Sequence, residues 1–154
     1  MALHYLDTSA LAKRDVPERG SQWITALLVS ETAAVSELII VEMGSTLARR
    51  TREGGLTARQ RDTNFELFLQ DMQVYTVLEQ PRSLIRVAAT LLLADPPLPR
   101  LRSLDALHIA SARAAFAEAI RNGTVVGTFV SSDIALLAAA RSTGLAVANP
   151  ENYP

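Results

Sequence analysis

Leu3-His4-Tyr5-Leu6-Asp7-Thr8-Ser9-Ala10-Leu11-Ala12 passes from a β-forming run, through a carboxylate and two hydroxyl side chains, into helix-formers. That order predicts a buried strand delivering Asp7 to the edge of a sheet, with Thr8 or Ser9 capping the helix that follows. In open α/β sheets ligands sit at the carboxyl ends of the strands, so Asp7 stands where chemistry is expected. A plain helix N-cap is the competing role for Asp7. Carboxylates brought beside it from elsewhere in the chain would decide between the two.

Outward from this stretch, strand-like and helix-like segments alternate to the end of the chain. A helix across Trp23, Ile24, Leu27 and Leu28 follows a turn at Pro17–Gly20, and Ala33-Ala34-Val35 reads as a second strand. Ser36 is placed to cap a long helix from about Glu37 to Arg52, ended by Gly54-Gly55, with Arg49, Arg50 and Arg52 favouring its dipole. Thr57 begins another helix, Val74–Leu78 reads as a third strand, and Pro81 opens a helix through Leu91. Asp95-Pro96-Pro97-Leu98-Pro99 is a rigid loop. Ser103 caps an alanine-rich helix to Arg121, Thr124–Val130 is a fourth strand, and a helix through Ala140 precedes a last strand at Leu145-Ala146-Val147. This is the pattern of an α/β fold: a central parallel β-sheet of about five strands flanked by helices on both faces. With no repeat or linker, residues 1–154 read as a single domain.

Composition narrows the chemistry. Hydrophobic residues make up 49% of the chain, as suits a buried parallel sheet or a surface partly covered by a partner chain. Cysteine is absent, which excludes disulfides and thiolate metal sites. No basic leader precedes an apolar core and no apolar run approaches a membrane span, so a cytoplasmic protein with no membrane contact is expected. Of the 15 basic residues only Lys13 is lysine; an arginine bias is compatible with RNA contact and equally with codon usage.

Four acids stand out. Asp7 and Asp133 each end a strand, Asp105 lies in the first turn of the alanine-rich helix, and Glu42 sits among Leu38, Ile39, Ile40, Val41 and Met43. Dipole or capping roles suffice for Asp105 and Asp133 singly, but a buried unpaired glutamate is costly. If the first and fourth strands are neighbours, the four converge. Two carboxylates about 5 Å apart repel by roughly 3 kcal/mol at an effective dielectric near 20. A cluster of them therefore requires shared protons or a cation, and hard oxygen ligands favour Mg²⁺ or Mn²⁺. An all-carboxylate site open at a sheet edge suits phosphodiester hydrolysis by a metal-activated water.

Tyr5-Leu6-Asp7-Thr8-Ser9-Ala10-Leu11, Ser36-Glu37-Leu38 leading to Glu42, Ser103-Leu104-Asp105-Ala106-Leu107-His108-Ile109-Ala110, Val130-Ser131-Ser132-Asp133 and the tail Gly144–Pro150 together resemble the PIN-domain nucleases. Within them the chain is similar to the VapC-type toxins of type II toxin–antitoxin systems. The resemblance spans essentially the whole chain. It implies the PIN-domain fold and a Mg²⁺- or Mn²⁺-dependent endoribonuclease, with Asp7, Glu42, Asp105 and Asp133 as the catalytic, metal-holding quartet. Ser9, or Thr8, matches a hydroxyl that supports the metal or its water, and Ser131 stands where the family often has threonine. The resemblance also implies an RNA substrate, a homodimer, and a cognate VapB-type antitoxin wrapping the helices between Glu37 and Asp71.

The remaining polar and aromatic residues read as structural. His108, one turn after Asp105, is expected to pack, with contact to metal or phosphate as the alternative, and His4, in the first strand, is expected at the core edge. Arg49, Arg50, Arg52, Arg59 and Arg61 are expected to form a solvated surface, with an RNA or partner contact as the alternative, and Trp23, Phe65 and Phe68 belong to the core or a subunit interface. Two rival functions remain. A haloacid-dehalogenase-type phosphohydrolase wants a second aspartate two residues after the first, where this chain has Ser9. A catalytically silent domain acting only as a binding partner in a repressor complex is the other.

Overall fold

The structure, a computed structural model, describes residues 1–15, 18–98 and 100–153. Five strands, β1 (Ala2–Leu6), β2 (Thr32–Ser36), β3 (Thr76–Leu78), β4 (Val125–Val130) and β5 (Val147–Ala148), form one sheet in the order β3-β2-β1-β4-β5. Every neighbouring pair is parallel. Parallel strands need crossovers. These are made by α1 (Thr8–Leu11), α2 (Ser21–Ser30), α3 (Ile39–Arg52), α4 (Ala58–Asp71), α5 (Arg82–Leu92), α6 (Ser103–Arg121) and α7 (Ile134–Ser142).

Alternation along the strands divides the core in two. Tyr5, Ala34 and Phe129 face the α5–α6–α7 side, whereas Leu6, Ala33, Val35 and Val130 face the α1–α4 side. The sheet is thus covered on both faces, as the alternation of strand-like and helix-like segments implied. Ala106, Ala110, Ala112, Ala115 and Ala119 are all buried along α6, so the longest helix lies close against the sheet. On α3 the buried residues are Ile39, Met43 and Leu47, four apart. Burying such side chains stabilises by roughly 1.5–3 kcal/mol each. The stripe therefore outweighs the roughly 1–3 kcal/mol that a poorly solvated polar group costs, and Glu42 is held where the helix puts it.

Several expected boundaries move, each for a local reason. Asp7, not Thr8 or Ser9, is the N-cap of α1, its Oδ1 accepting from the Ala10 N–H at 2.9 Å. Ser36 stays in β2, paired with Leu78, so α3 begins at Ile39 rather than Glu37; the Ser36 hydroxyl still accepts the Leu38 N–H. The third strand shortens to Thr76–Leu78 because Met72–Val74 closes a 3₁₀ turn. Ser103 is the first residue of α6 and Arg102 its N-cap, with the Asp105 carboxylate accepting the Arg102 N–H. The last strand shifts to Val147–Ala148, where it meets Phe129 and Val130. Of the expected turn at Pro17–Gly20 and the loop at Asp95–Pro99, Pro17 and Pro99 lie outside the described residues.

The strand order reverses between β1 and β4, since the chain extends to β2 and β3 on one side and to β5 on the other. Their carboxyl ends are the topological switch point at which open α/β sheets place ligands. Between Leu3 and Tyr5 the register with β4 slips, and β4 carries an extra residue at Gly127–Thr128. His4 fills that irregularity: its Nδ1 accepts the Thr128 N–H at 3.1 Å, and a Cβ on Gly127 would lie 2.5 Å from its ring. His4 is thus a half-buried structural residue, as its position suggested.

Candidate active site

Asp7 leaves β1 at the switch point and is 5% exposed. Its Oδ1 accepts from the Ser9 hydroxyl at 2.8 Å and the Ala10 N–H; its Oδ2 accepts from the Ser131 hydroxyl at 2.8 Å. Burial pushes the Asp7 carboxyl above the ordinary aspartate range, and the nearby His108, the Ala10 N–H and the hydroxyls of Ser131 and Ser9 offset only part of that. N-capping and a functional placement coexist: one short helix start both uses the carboxylate and points it into the site.

Glu42 comes from α3 on the opposite wall. Both of its hydrogen-bond donors, the Thr8 hydroxyl and His108 Nε2 (2.7 Å), converge on Oε2. Among the described residues Oε1 accepts no hydrogen bond. Burial works against the Glu42 charge, but the His108 hydrogen bond and charge, with the Thr8 hydroxyl, outweigh it and hold the carboxyl below its usual range. His108 shows the reciprocal effect: although burial disfavours its charge, Glu42 raises its affinity for a proton.

Asp105 and Asp133 share a cation. The Arg102 guanidinium donates to Asp105 Oδ2 through Nε at 2.9 Å and to Asp133 Oδ2 through Nη2 at 3.0 Å. Asp133 is also the N-cap of α7, its Oδ1 accepting the Ala135 and Leu136 N–H groups at 2.8 and 3.1 Å. Among the described residues its Oδ2 takes no backbone donor and is held by Arg102 alone.

All four acids, with Thr8, Ser9, Arg102 and His108, line one cleft of about 980 Å³. The cleft gathers the acids without closing them: among the described residues no three carboxylate or imidazole groups lie tightly enough together to hold an ion as they stand. Arg102 engages two of them and hydroxyls engage a third. The donor set nonetheless fits a hard divalent cation. Every candidate ligand is a carboxylate oxygen, Glu42 Oε1 is uncommitted, and a guanidinium already supplies positive charge between Asp105 and Asp133. Arg49 and Arg50 stand on the same cleft wall, and Lys13, only 4% exposed, is paired there with Glu18 and Glu151.

The PIN domain family model matches residues 4–129. The chain belongs to the PIN domain family. Among solved structures, this PIN domain is similar to PAE2754 from Pyrobaculum aerophilum, at 22% identity and a TM-score of 0.58 over 98% of this chain and 85% of that one. It is similar also to VapBC2 from Rickettsia felis bound to a DNA fragment from their promoter, at 16% identity and a TM-score of 0.58 over 96% and 98% of the two chains. VapC20 from Mycobacterium tuberculosis, a sarcin-ricin loop cleaving toxin, aligns at 20% identity and a TM-score of 0.54 over 73% and 83%. At these identities the likeness is one of fold. No curated protein matches the sequence significantly.

Two further residues of this PIN domain, Arg102 and His108, support the acids of the cleft. Arg102 carried no signal beyond preceding a helix-capping serine. His108 was expected to pack, and at 2% exposure it does, but both ring nitrogens are also engaged. Its sequence signal was the i,i+3 spacing from Asp105, which places the two on one helix face. Ser9 and Ser131 contact Asp7, and Thr8 contacts Glu42, so each hydroxyl singled out by the sequence touches a member of the quartet. Among the described residues no helix is long and apolar enough to cross a membrane.

Proposed function

We propose that this PIN domain is a divalent-metal-dependent endoribonuclease, the toxin of a toxin–antitoxin pair. The observation that carries the reading is the convergence of Asp7, Glu42, Asp105 and Asp133, from four separate elements, on one cleft at the switch point of the sheet. Membership of the family supports hydrolytic nuclease chemistry, and the fold neighbours include a toxin named for cleaving the sarcin-ricin loop.

Asp7, Glu42 through Oε1, Asp105, and Asp133 through Oδ2 would hold Mg²⁺ or Mn²⁺. When bound, such an ion supplies Lewis acidity at the phosphodiester and charge to stabilise the leaving oxygen. The chain's own residues do the rest. Ser9, Ser131 and the Ala10 N–H fix the Asp7 carboxylate, while Thr8 and His108 fix Glu42, so neither ligand has to be oriented at the moment of reaction. Arg102, Arg49 and Arg50 line the cleft and suit the substrate's phosphates.

The partner reading follows from the same neighbours. VapBC2 is a complex of two proteins on promoter DNA, and we assign this chain the corresponding toxin place, with a VapB-type antitoxin seated along α3 and α4 and a second copy completing a homodimer. Exposed apolar side chains on those helices, Val41 at 74% and Leu67 at 50%, suit such a cover.

Incubation of the purified protein with total RNA and Mn²⁺ tests the activity, with EDTA and Asp7→Asn as controls. Cleavage lost with EDTA, and reduced in Asp7→Asn by more than the roughly 10–100-fold typical of losing an outer-shell partner, is the expected result. No cleavage with any divalent ion would overturn the nuclease reading in favour of the silent binding domain.

A further inference from the structure

Behind Glu42 runs a line of buried polar groups that the quartet does not explain. His108 Nδ1 lies 2.8 Å from the Tyr5 hydroxyl, and Tyr5 is wholly buried, its ring stacked on Phe129 at 5.4 Å and edge-on to His108 at 6.0 Å. Ser111 stands close enough to the Tyr5 oxygen to favour its ionised form, against the burial that disfavours it. Gln80 donates both hydrogens of its side-chain amide, to Ser36 Oγ at 2.8 Å and Ser111 Oγ at 3.0 Å.

The direction of the link that reaches the site follows from its acceptor. Glu42, a carboxylate, can only accept, so His108 Nε2 carries a hydrogen and donates it to Oε2, in the neutral ring and in the imidazolium alike. The Tyr5 hydroxyl, both donor and acceptor, pairs with Nδ1 in either state. Burial alone asks for a polar partner at each ring nitrogen; what sets this histidine apart is that the partner of Nε2 is an acid of the quartet.

We propose that His108, oriented by Tyr5, is a positioning residue that occupies Glu42 Oε2 and leaves Oε1 as the single oxygen with which Glu42 binds the divalent ion. This rests on the metal-dependent reading of the site given above. Two donors on Oε2 block bidentate binding and fix the carboxylate plane, and the Tyr5 hydroxyl, 2.8 Å from Nδ1, holds the imidazole ring in the orientation that donates. The arrangement parallels, at a carboxylate ligand, the outer-shell hydrogen bonds that orient metal ligands elsewhere.

The geometry supplies a discriminating pair of variants. A glutamine amide reaches about as far as His108 Nε2 and can donate to Glu42; an asparagine amide reaches only as far as Nδ1. Mn²⁺ affinity of the purified protein, measured by calorimetry without RNA, is expected to fall roughly 10–100-fold in His108→Asn and to be largely restored in His108→Gln. Tyr5→Phe keeps the packing and removes the hydroxyl, and a smaller loss is expected. Thermal melts without metal establish that each variant is folded. If His108→Asn does not fold, the comparison of Tyr5→Phe and His108→Gln with wild type decides, an affinity unchanged in the former counting against the proposal. Asp7→Asn is measured alongside. Unchanged Mn²⁺ binding in Asp7→Asn would overturn the metal-site reading and this proposal with it. Binding lost in Asp7→Asn but equal in His108→Asn and His108→Gln would overturn the positioning role alone.

Discussion

Replacing Asp7 with asparagine separates stability from function at one atom. The side chain is 5% exposed, and burial raises its pKa above the ordinary range despite its hydrogen bonds. A carboxyl raised in the folded state adds stability that is complete below the unfolded pKa and is lost as pH climbs through the folded one. At pH 7.5 the Asp7 charge is therefore a net cost. Asparagine keeps the volume and an acceptor for Ser9 or the Ala10 N–H, and the Ser131 hydroxyl can turn to accept from its NH₂. Without metal, Asp7→Asn should melt at or above the wild-type temperature, each kcal/mol relieved adding about 2–4 °C. The gap should close as pH falls through the folded pKa of Asp7. Divalent ion should reverse the order. At a hundredfold excess over Kd, Mn²⁺ adds about 2.7 kcal/mol to a protein that binds it, or roughly 5–11 °C, and this shift should vanish in Asp7→Asn. Melts followed by circular dichroism across pH, with and without Mn²⁺, read all of this. A metal-free Asp7→Asn that melts well below wild type, or one that keeps the Mn²⁺ shift, would refute the reasoning.

Arg102→Met should lower the melting temperature slightly, because the guanidinium is exposed but the Asp105 carboxylate it pairs is largely buried, while raising Mn²⁺ affinity a few-fold at most; weaker binding by calorimetry would show that Arg102 helps rather than competes. Lys13→Met removes two ion pairs from a buried ammonium but leaves both glutamates in reach of water, so a loss of about 1–2 kcal/mol in urea unfolding is expected, short of the 3–5 kcal/mol of a fully buried pair. Gly20→Ala puts a Cβ at φ +89° and 2.6 Å from the Pro150 carbonyl oxygen, and should cost about 2 kcal/mol or more, read as a Tm lowered by at least about 4 °C.

How far the fold was legible follows from what each element depends on. The alternation of β-forming and helix-forming segments reports burial on both faces of a sheet, and it located all five strands. It could not fix their ends, which are set by partners distant in sequence. Ser36 reads as a helix cap until pairing with Leu78 and the hydrogen bond from Gln80 keep it in β2. Val147–Ala148 becomes the last strand only because Phe129 and Val130 lie beside it. The quartet was legible for a different reason. Strand-end aspartates and a glutamate in an apolar run violate local expectation, and such violations concentrate at functional sites.

The support around those acids was not legible, because its members obey local rules. Arg102 is an unremarked residue before a helix, and His108 sits on an apolar helix face where packing is the ordinary reason for it. Their roles come from register: Tyr5 and His108 meet across 103 positions of sequence, and Arg102 and Asp133 across 31. The two kinds of support act oppositely on the acids. Hydroxyls, the Ala10 N–H and His108 stabilise Asp7 and Glu42 as fixed acceptors, with protons the site does not have to give up. Arg102, held to Asp105 and Asp133 from an exposed position, neutralises charge with a group that an incoming cation can displace. Half of the cleft is thus built rigid and half exchangeable. That division explains how four carboxylates can share one cleft in a folded chain, and it is what the proposed ion would exploit.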